Sequence, residues 1–345
     1  MTLADLGWDE GWERAFAAVA GSHLQPGRVA IEFNHIYRVF VADDEIETSA
    51  AGRLKHRAAR RSELPAVGDW VAVRTQPGEE RGAIVAVLPR RTRFSRRAAG
   101  AVTDEQVVAA NVDVVFVVMA LDDDFSVRRL DRYLLLARES AAAPVILLTK
   151  PDLAADAAAR VDEVAARAGD LPVHVLSPKF NQGLEQVAAH LVSGRTAALL
   201  GSSGVGKSTI INRLAGDERQ RTREVRAADS RGRHTTTHRE LVVLPSGGLI
   251  IDTPGMRELQ LWDAHSGARE TFDDIEALAA ACHFTDCRHR EEPRCAVKAA
   301  IASGTLPVER LESYLKLRDE MAELERQQVE RSHLDEKRRS RSRRR

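Results

Sequence analysis

Cysteine is scarce in this chain: three among 345 residues, at positions 282, 287 and 295. Few, odd in number and clustered, they argue against a disulfide framework and for a metal site in a reducing compartment. Long apolar runs are missing too. The longest, "VVFVVMAL" from Val114, is far short of a membrane span and reads as a buried strand. The opening "MTLADLGWDEGWERAF" is acidic and has neither a basic flank nor an apolar h-region, so no secretory leader is expected. These absences lead us to expect a cytoplasmic protein without membrane association. A net charge of either sign is also lacking, with 51 basic and 51 acidic side chains. That balance hides an asymmetry. The final "KRRSRSRRR" holds only basic and neutral residues, so the rest of the chain is net acidic. A second basic stretch, "PRRTRFSRR", spans Pro89–Arg97. Clustered arginines of this kind suit RNA phosphates, although a solvated tail is the plain alternative for the C-terminus.

What is present fits a soluble globular chain of two or three domains, with 43% hydrophobic and 30% charged residues. Trp8, Trp12 and Phe16 recur at helical spacing and form a packing face. "RVAIEFNHIYRVFVA", "DWVAVRTQ" and "GAIVAVLP" then alternate apolar and polar residues between turn-rich segments. Short strands of this kind predict a small barrel, an oligonucleotide-binding (OB) fold first, with an SH3-like module as the alternative. From about Asn111 the pattern changes. "VDVVFVVMA", "PVILLT", "LPVHVLS", "TAALLG", "ELVVLP" and "GLIIDTPG" are nearly continuous apolar strands, with helical stretches between several of them. They predict a doubly wound α/β sheet buried on both faces. After Gly267 the chain reads as helical and charged, and "VERLESYLKLRDEMAELERQQVERSH" has amphipathic helical spacing.

"GSSGVGKST" satisfies the phosphate-loop pattern, following an apolar strand and opening a helix. Its members Gly201, Ser202, Ser203, Gly204, Val205, Gly206, Lys207, Ser208 and Thr209 are expected to bind nucleotide. Backbone N–H groups and the helix N-terminus face the phosphates. Lys207 reaches the β- and γ-phosphates, and the Ser208 hydroxyl coordinates Mg²⁺. In "IIDTPG", Asp252 ends a strand and holds Mg²⁺ through water, while the Gly255 amide senses the γ-phosphate. Between these lies "RGRHTTTH", whose Thr236 is the candidate second hydroxyl for Mg²⁺, with Thr235 and Thr237 as alternatives. "LLTKPDL" places Lys150 and Asp152 after a strand, as in the guanine-reading motif of GTPases. The next strand ends in "SPK" at Ser177, like the loop that contacts guanine O6. Both base motifs precede the phosphate loop, the reverse of the usual order.

In that order, with a barrel before and a Cys/His cluster after, the chain resembles the ribosome small-subunit-dependent GTPase A family (RsgA, also called YjeQ or EngC). The resemblance runs from about Gly27 to His333. It rests on "AANVDVVFVVMA", "LDRYLLLA", "GSSGVGKSTIINRL", "GRHTTTHREL", "IIDTPGMREL" and "CHFTDCRHREEPRCAV". It implies a multidomain α/β protein: a lead-in (1–26), an OB-fold RNA-binding barrel (27–97) and a circularly permuted P-loop GTPase domain (98–264). A helical zinc-binding domain (265–333) and a disordered basic tail (334–345) follow. It further implies GTP and GDP with Mg²⁺ as ligands, the 30S ribosomal subunit and its 16S rRNA as partner, and subunit-stimulated hydrolysis in late 30S maturation. We expect a monomer.

Three departures from the family pattern bear on mechanism. Thr149 stands where the base motif usually has Asn, and its shorter side chain is expected to brace the phosphate loop less well. Pro178 lacks the N–H that usually contacts guanine O6, so that contact falls to Lys179 or is lost. Met256 replaces the Gln that orients water in many GTPases, so intrinsic hydrolysis should be slow; His234 is the nearest candidate substitute. These features keep open a second reading, a nucleotide-gated RNA-binding module with little or no turnover. A P-loop ATPase or kinase would leave Lys150 and Asp152 unexplained.

The remaining constellation is Cys282, Cys287, His289 and Cys295. Three thiolates and one imidazole make a closed tetrahedral set suited to structural Zn²⁺. His283 is the alternative imidazole, and the family pattern favours His289.

Overall fold

The computed structural model describes residues 1–19, 21, 23–75, 81–97, 105–216, 239–252 and 271–342. A short helical turn at Ala4–Leu6 precedes helix α1 (Glu10–Ala17). The Asp9 carboxylate caps α1 by accepting from the Gly11 and Trp12 N–H groups at 2.8 and 3.0 Å. Trp12 is buried and Trp8 meets Trp70 edge-on at 4.7 Å, so the lead-in is docked onto the barrel.

The barrel is built from β1 (Leu24–Phe33), β2 (Ile36–Val41), β3 (Asp44–Ala50), α2 (Gly52–Arg57), β4 (Trp70–Arg74) and β5 (Gly82–Val87). Its strands run in the order β1-β2-β3-β5-β4, and β4 pairs back onto β1 to close it. The β3–β5 pairing is parallel and the others antiparallel. This is the OB order, with α2 between β3 and β4, and it rules out the SH3-like alternative. Inward residues Val29, Tyr37, Val39, Val71, Val73 and Ile84 form its core. β6 (Arg93–Arg97) and β7 (Glu105–Ala110) form a separate antiparallel pair leading into the next sheet.

That sheet comprises β8 (Val114–Ala120), β9 (Ala143–Thr149), β10 (Val173–Leu176), β11 (Thr196–Leu200), β12 (Arg239–Val243) and β13 (Leu249–Asp252). Helices α3 (Val127–Glu139), α4 (Ala157–Ala168), α5 (Leu184–Ala189) and α6 (207–216) connect them. The order β10-β9-β8-β11-β13-β12 is parallel except for β12. The chain enters mid-sheet at β8, winds out to β10, then returns to place β11 on the other side of β8. Every residue of β8 and β11 is buried, which accounts for their unbroken apolar runs. β12 also pairs with β1, and Arg239 bonds Glu32 at 3.1 Å, so barrel and sheet are joined edge to edge.

The C-terminal unit contains α7 (Asp273–Ala279), α8 (Ala296–Ala302) and α9 (Val308–Ser342). Helix α9 continues through Ser342 where the sequence suggests an unstructured tail from residue 334. A helix already nucleated by packing extends at little cost, and basic residues suit its C-terminal dipole. Among the described residues no helix is long and apolar enough to cross a membrane.

Candidate functional site

Strand register brings the scattered motifs to one edge. Thr149 of β9 lies beside Ala120 of β8 and Leu176 of β10, so the Lys150 and Ser177 loops leave the sheet together. Leu200 pairs with Val117, and Ala198 with Ile251, which brings Gly201 and Asp252 to the same edge. The carboxyl ends of parallel strands are where such sheets bind ligands.

At Gly201 the loop passes so close to β8 that a Cβ would lie 2.3 Å from the Val118 carbonyl oxygen, which explains the glycine. Lys207 Nζ donates to the Gly201 carbonyl at 2.7 Å and also to the Ser202 carbonyl, so its ammonium lies across the loop. Ser208 and Thr209 are exposed in the first turn of α6. Thr149 Oγ1 donates to the Val205 carbonyl at 2.6 Å from a fully buried position. The short side chain therefore does brace the loop. Gly206 has a left-handed backbone (φ 100°), which favours glycine, while a Cβ there would make only an ordinary 3.9 Å contact with Thr149.

On the base side, Lys150 has a left-handed backbone (φ 56°) and sends Nζ to Asp122 Oδ2 at 2.8 Å. That ammonium holds the Asp122 carboxyl below its usual range. Asp152 sits exposed in the turn Pro151–Leu153. Ser177 is buried, and its backbone exchanges two hydrogen bonds with Gln182, at 3.0 and 3.1 Å, closing the Pro178–Phe180 turn. Arg213 of α6 donates to the Lys179 carbonyl at 3.4 Å, linking this turn to the helix after the phosphate loop.

Sequence reading missed a set of polar residues around these loops. Asp122 holds Lys150, and Arg160 donates to the Asp122 carbonyl at 2.7 Å. Arg129 and Tyr133 of α3 both meet the Ser202 hydroxyl. The signal available was the acidic run Asp122–Asp124 directly after a buried strand, where functional loops begin. His234, Thr235, Thr236, Thr237, Gly255 and Met256 lie outside the described residues. Of the Mg²⁺ set, Ser208 and the half-buried Asp252 are described.

The Cys/His cluster forms between α7 and α8. The ligand atoms of Cys282, Cys287, His289 and Cys295 all lie within 4.8 Å of one another. Cys282 Sγ is 3.8 Å from Cys295 Sγ, and His289 Nδ1 is 3.4 Å from Cys295 Sγ and 3.7 Å from Cys282 Sγ. Tetrahedral coordination with bonds of about 2.3 Å would set two sulfurs roughly 3.8 Å apart, so the cluster fits an ion of that type. His283 stands outside the cluster, its ring against Phe284. Burial keeps His289 below the usual histidine range, hence neutral and able to ligate. Burial raises the Cys282 thiol, but hydrogen bonds with the Val297 and Ala296 amides and with Cys295 and Cys287 together make the net shift downward. Cys287 is pushed up to about 11 by burial and then by the Cys295 and Cys282 thiols. Three crowded thiols of this kind call for a cation.

The family model for RsgA GTPase matches residues 87–262. The chain belongs to the RsgA GTPase family. It is 51% identical to the small ribosomal subunit biogenesis GTPase RsgA of Opitutus terrae, over 93% of this chain and 90% of that protein. It is 44% identical to the RsgA of Syntrophotalea carbinolica, over the same shares of each. Among solved structures it resembles YjeQ from Thermotoga maritima (TM-score 0.65, 26% identity, 87% of this chain and 99% of that one). It also resembles YloQ, described as a circularly permuted GTPase (TM-score 0.62, 25% identity, 89% and 96%). As an RsgA GTPase the chain is a GTP hydrolase with a permuted GTPase domain, an OB-type barrel and a C-terminal unit carrying the Cys/His cluster.

Proposed function

We propose that this RsgA GTPase binds the 30S ribosomal subunit, assists its late maturation and leaves it on hydrolysing GTP. The observation that carries the reading is the match over 93% of the chain to a protein named for small-subunit biogenesis, spanning barrel, GTPase domain and cluster together. The barrel and C-terminal unit are assigned to 16S rRNA, supported by the basic residues that end the chain; within Pro89–Arg97, Arg90, Arg91 and Arg93 are paired with Asp69, Asp9 and Glu105 and give less support. The protein works as a cytoplasmic monomer.

Within the site, Asp152 reads guanine N1 and N2, and the stem of Lys150, anchored by Asp122, covers the base. Lys207 and the amides of Gly201–Thr209 hold the phosphates. Ser208, Asp252 and Thr236 would hold Mg²⁺, which when bound neutralises charge on the phosphate oxygens. His234 is assigned to orienting the attacking water. Cys282, Cys287, His289 and Cys295 would hold one structural Zn²⁺, worth on the order of 10 kcal/mol to folding in small zinc domains.

Co-sedimentation with purified 30S subunits tests the reading. The protein should pellet with subunits in the presence of a non-hydrolysable GTP analogue and be released with GDP. Equal partition with both nucleotides contradicts it.

A further inference from the structure

Helix α3 touches the phosphate loop on one face and the C-terminal unit on the adjoining one. Facing the loop, Arg129 Nη1 donates to Ser202 Oγ at 2.7 Å, and Tyr133, one turn on, brings its hydroxyl within 3.3 Å of the same oxygen. The Arg129 guanidinium is itself fixed by both Asp124 carboxylate oxygens, with Nη2 donating to Oδ1 at 3.0 Å. Its direction toward Ser202 is therefore set before any ligand arrives.

The adjoining face of α3 is clamped by α9. Arg128 pairs with Glu312, and Arg132 pairs with Glu320 at 2.9 Å. Asp131, fully buried, accepts from Arg310 at 2.7 Å. Arg310 also bonds Asp274 and the Thr271 carbonyl and lies over the Phe272 ring at 4.5 Å. The setting of α3 is thus referred to the C-terminal unit, and Arg129 passes that setting to the loop. Ser202 is the right receiver, because its carbonyl is one of the two that hold Lys207.

We propose that Arg129 is a positioning residue of the GTPase centre, holding the phosphate loop through Ser202 in the setting that α3 takes against α9. The inference rests on reading Gly201–Thr209 as the phosphate loop.

The test is release of a fluorescent GDP analogue from the full-length protein by stopped flow. Wild type, Arg129→Ala, Arg129→Lys, Ser202→Ala and the double alanine variant are compared, each with its melting temperature. A hydrogen bond to a charged group is lost in either alanine variant, so release should quicken roughly tenfold in each. The double variant should be no faster than the faster single one, Arg129→Lys should recover part of the loss, and melting temperatures should hold. Additive effects, or faster release that tracks a fall in melting temperature, overturn the positioning role. Faster release in Arg129→Ala with none in Ser202→Ala also overturns it. Wild-type protein that binds no guanine nucleotide overturns the reading of the loop and this inference together.

Discussion

The Thr149 hydroxyl donates to the Val205 carbonyl at 2.6 Å, so a buried hydrogen bond ties the guanine-side strand to the phosphate loop. Thr149 ends β9 and Val205 follows β11, two strands that β8 separates in the sheet, so the bond reaches across the end of β8. Thr149→Val keeps the shape and removes the donor, leaving the Val205 carbonyl without it. Affinity for GTP and GDP should fall together, by roughly threefold to tenfold, and Thr149→Ser should stay near wild type. Isothermal titration with each nucleotide measures this, and unchanged affinity in Thr149→Val would show that the brace is idle.

Arg310 joins the GTPase domain to the C-terminal unit through a buried Asp131 that also pairs with Arg167 at 2.9 Å. Removing one partner of a buried pair typically costs about 3–5 kcal/mol, and the remaining Arg167 places Arg310→Met at the lower end. Denaturant melts should show that loss in a folded protein. A change within about 0.5 kcal/mol, the range of a surface substitution, would mean the network contributes nothing to stability.

For the cluster, a strong chelator should remove close to one equivalent of zinc per chain. Amide exchange should then quicken in α7, α8 and the first turns of α9, while the barrel and β8–β13 stay protected. Cys295→Ser should reproduce the pattern without chelator. Carefully purified protein containing no zinc contradicts the assignment.

Asp9 supplies a pH dependence with a definite sign. Its hydrogen bond from Arg91 holds the carboxyl at about 2, against an ordinary aspartate value of about 3.9. A depressed folded-state value gives stability that is complete above the ordinary value and is lost as pH falls toward 2. Carboxyl NMR should place the Asp9 midpoint near 2 in wild type and nearer the ordinary value in Arg91→Ala. An unshifted midpoint in the variant would remove Arg91 as the cause.

How much of this could be read from the chain depended on distance in sequence. The phosphate loop, Lys150, Asp152 and the four cluster residues lie in short segments whose spacing carries the chemistry, so they were legible without coordinates. The OB order was only partly so, because the parallel β3–β5 pairing and closure of β4 onto β1 are long-range choices that alternation does not encode. Asp122, Arg129 and Tyr133 were not legible. Their partners are set by how loops meet across the sheet edge, and an acidic run or an arginine in a helix reads equally well as surface charge. Thr149 was only partly legible: side-chain length suggested a weaker brace than Asn gives, and the bond it does make depends on how near the loop comes at Val205, which the sequence does not encode.

The decisive measurement is GTP turnover with and without purified 30S subunits, with ATP as the control nucleotide. Hydrolysis of GTP alone should be slow and should rise with subunits by about 10³-fold or more, as when a partner completes a GTPase site, with little ATP turnover in either case. GTP binding with no turnover in the presence of subunits would contradict it, as would equal use of ATP.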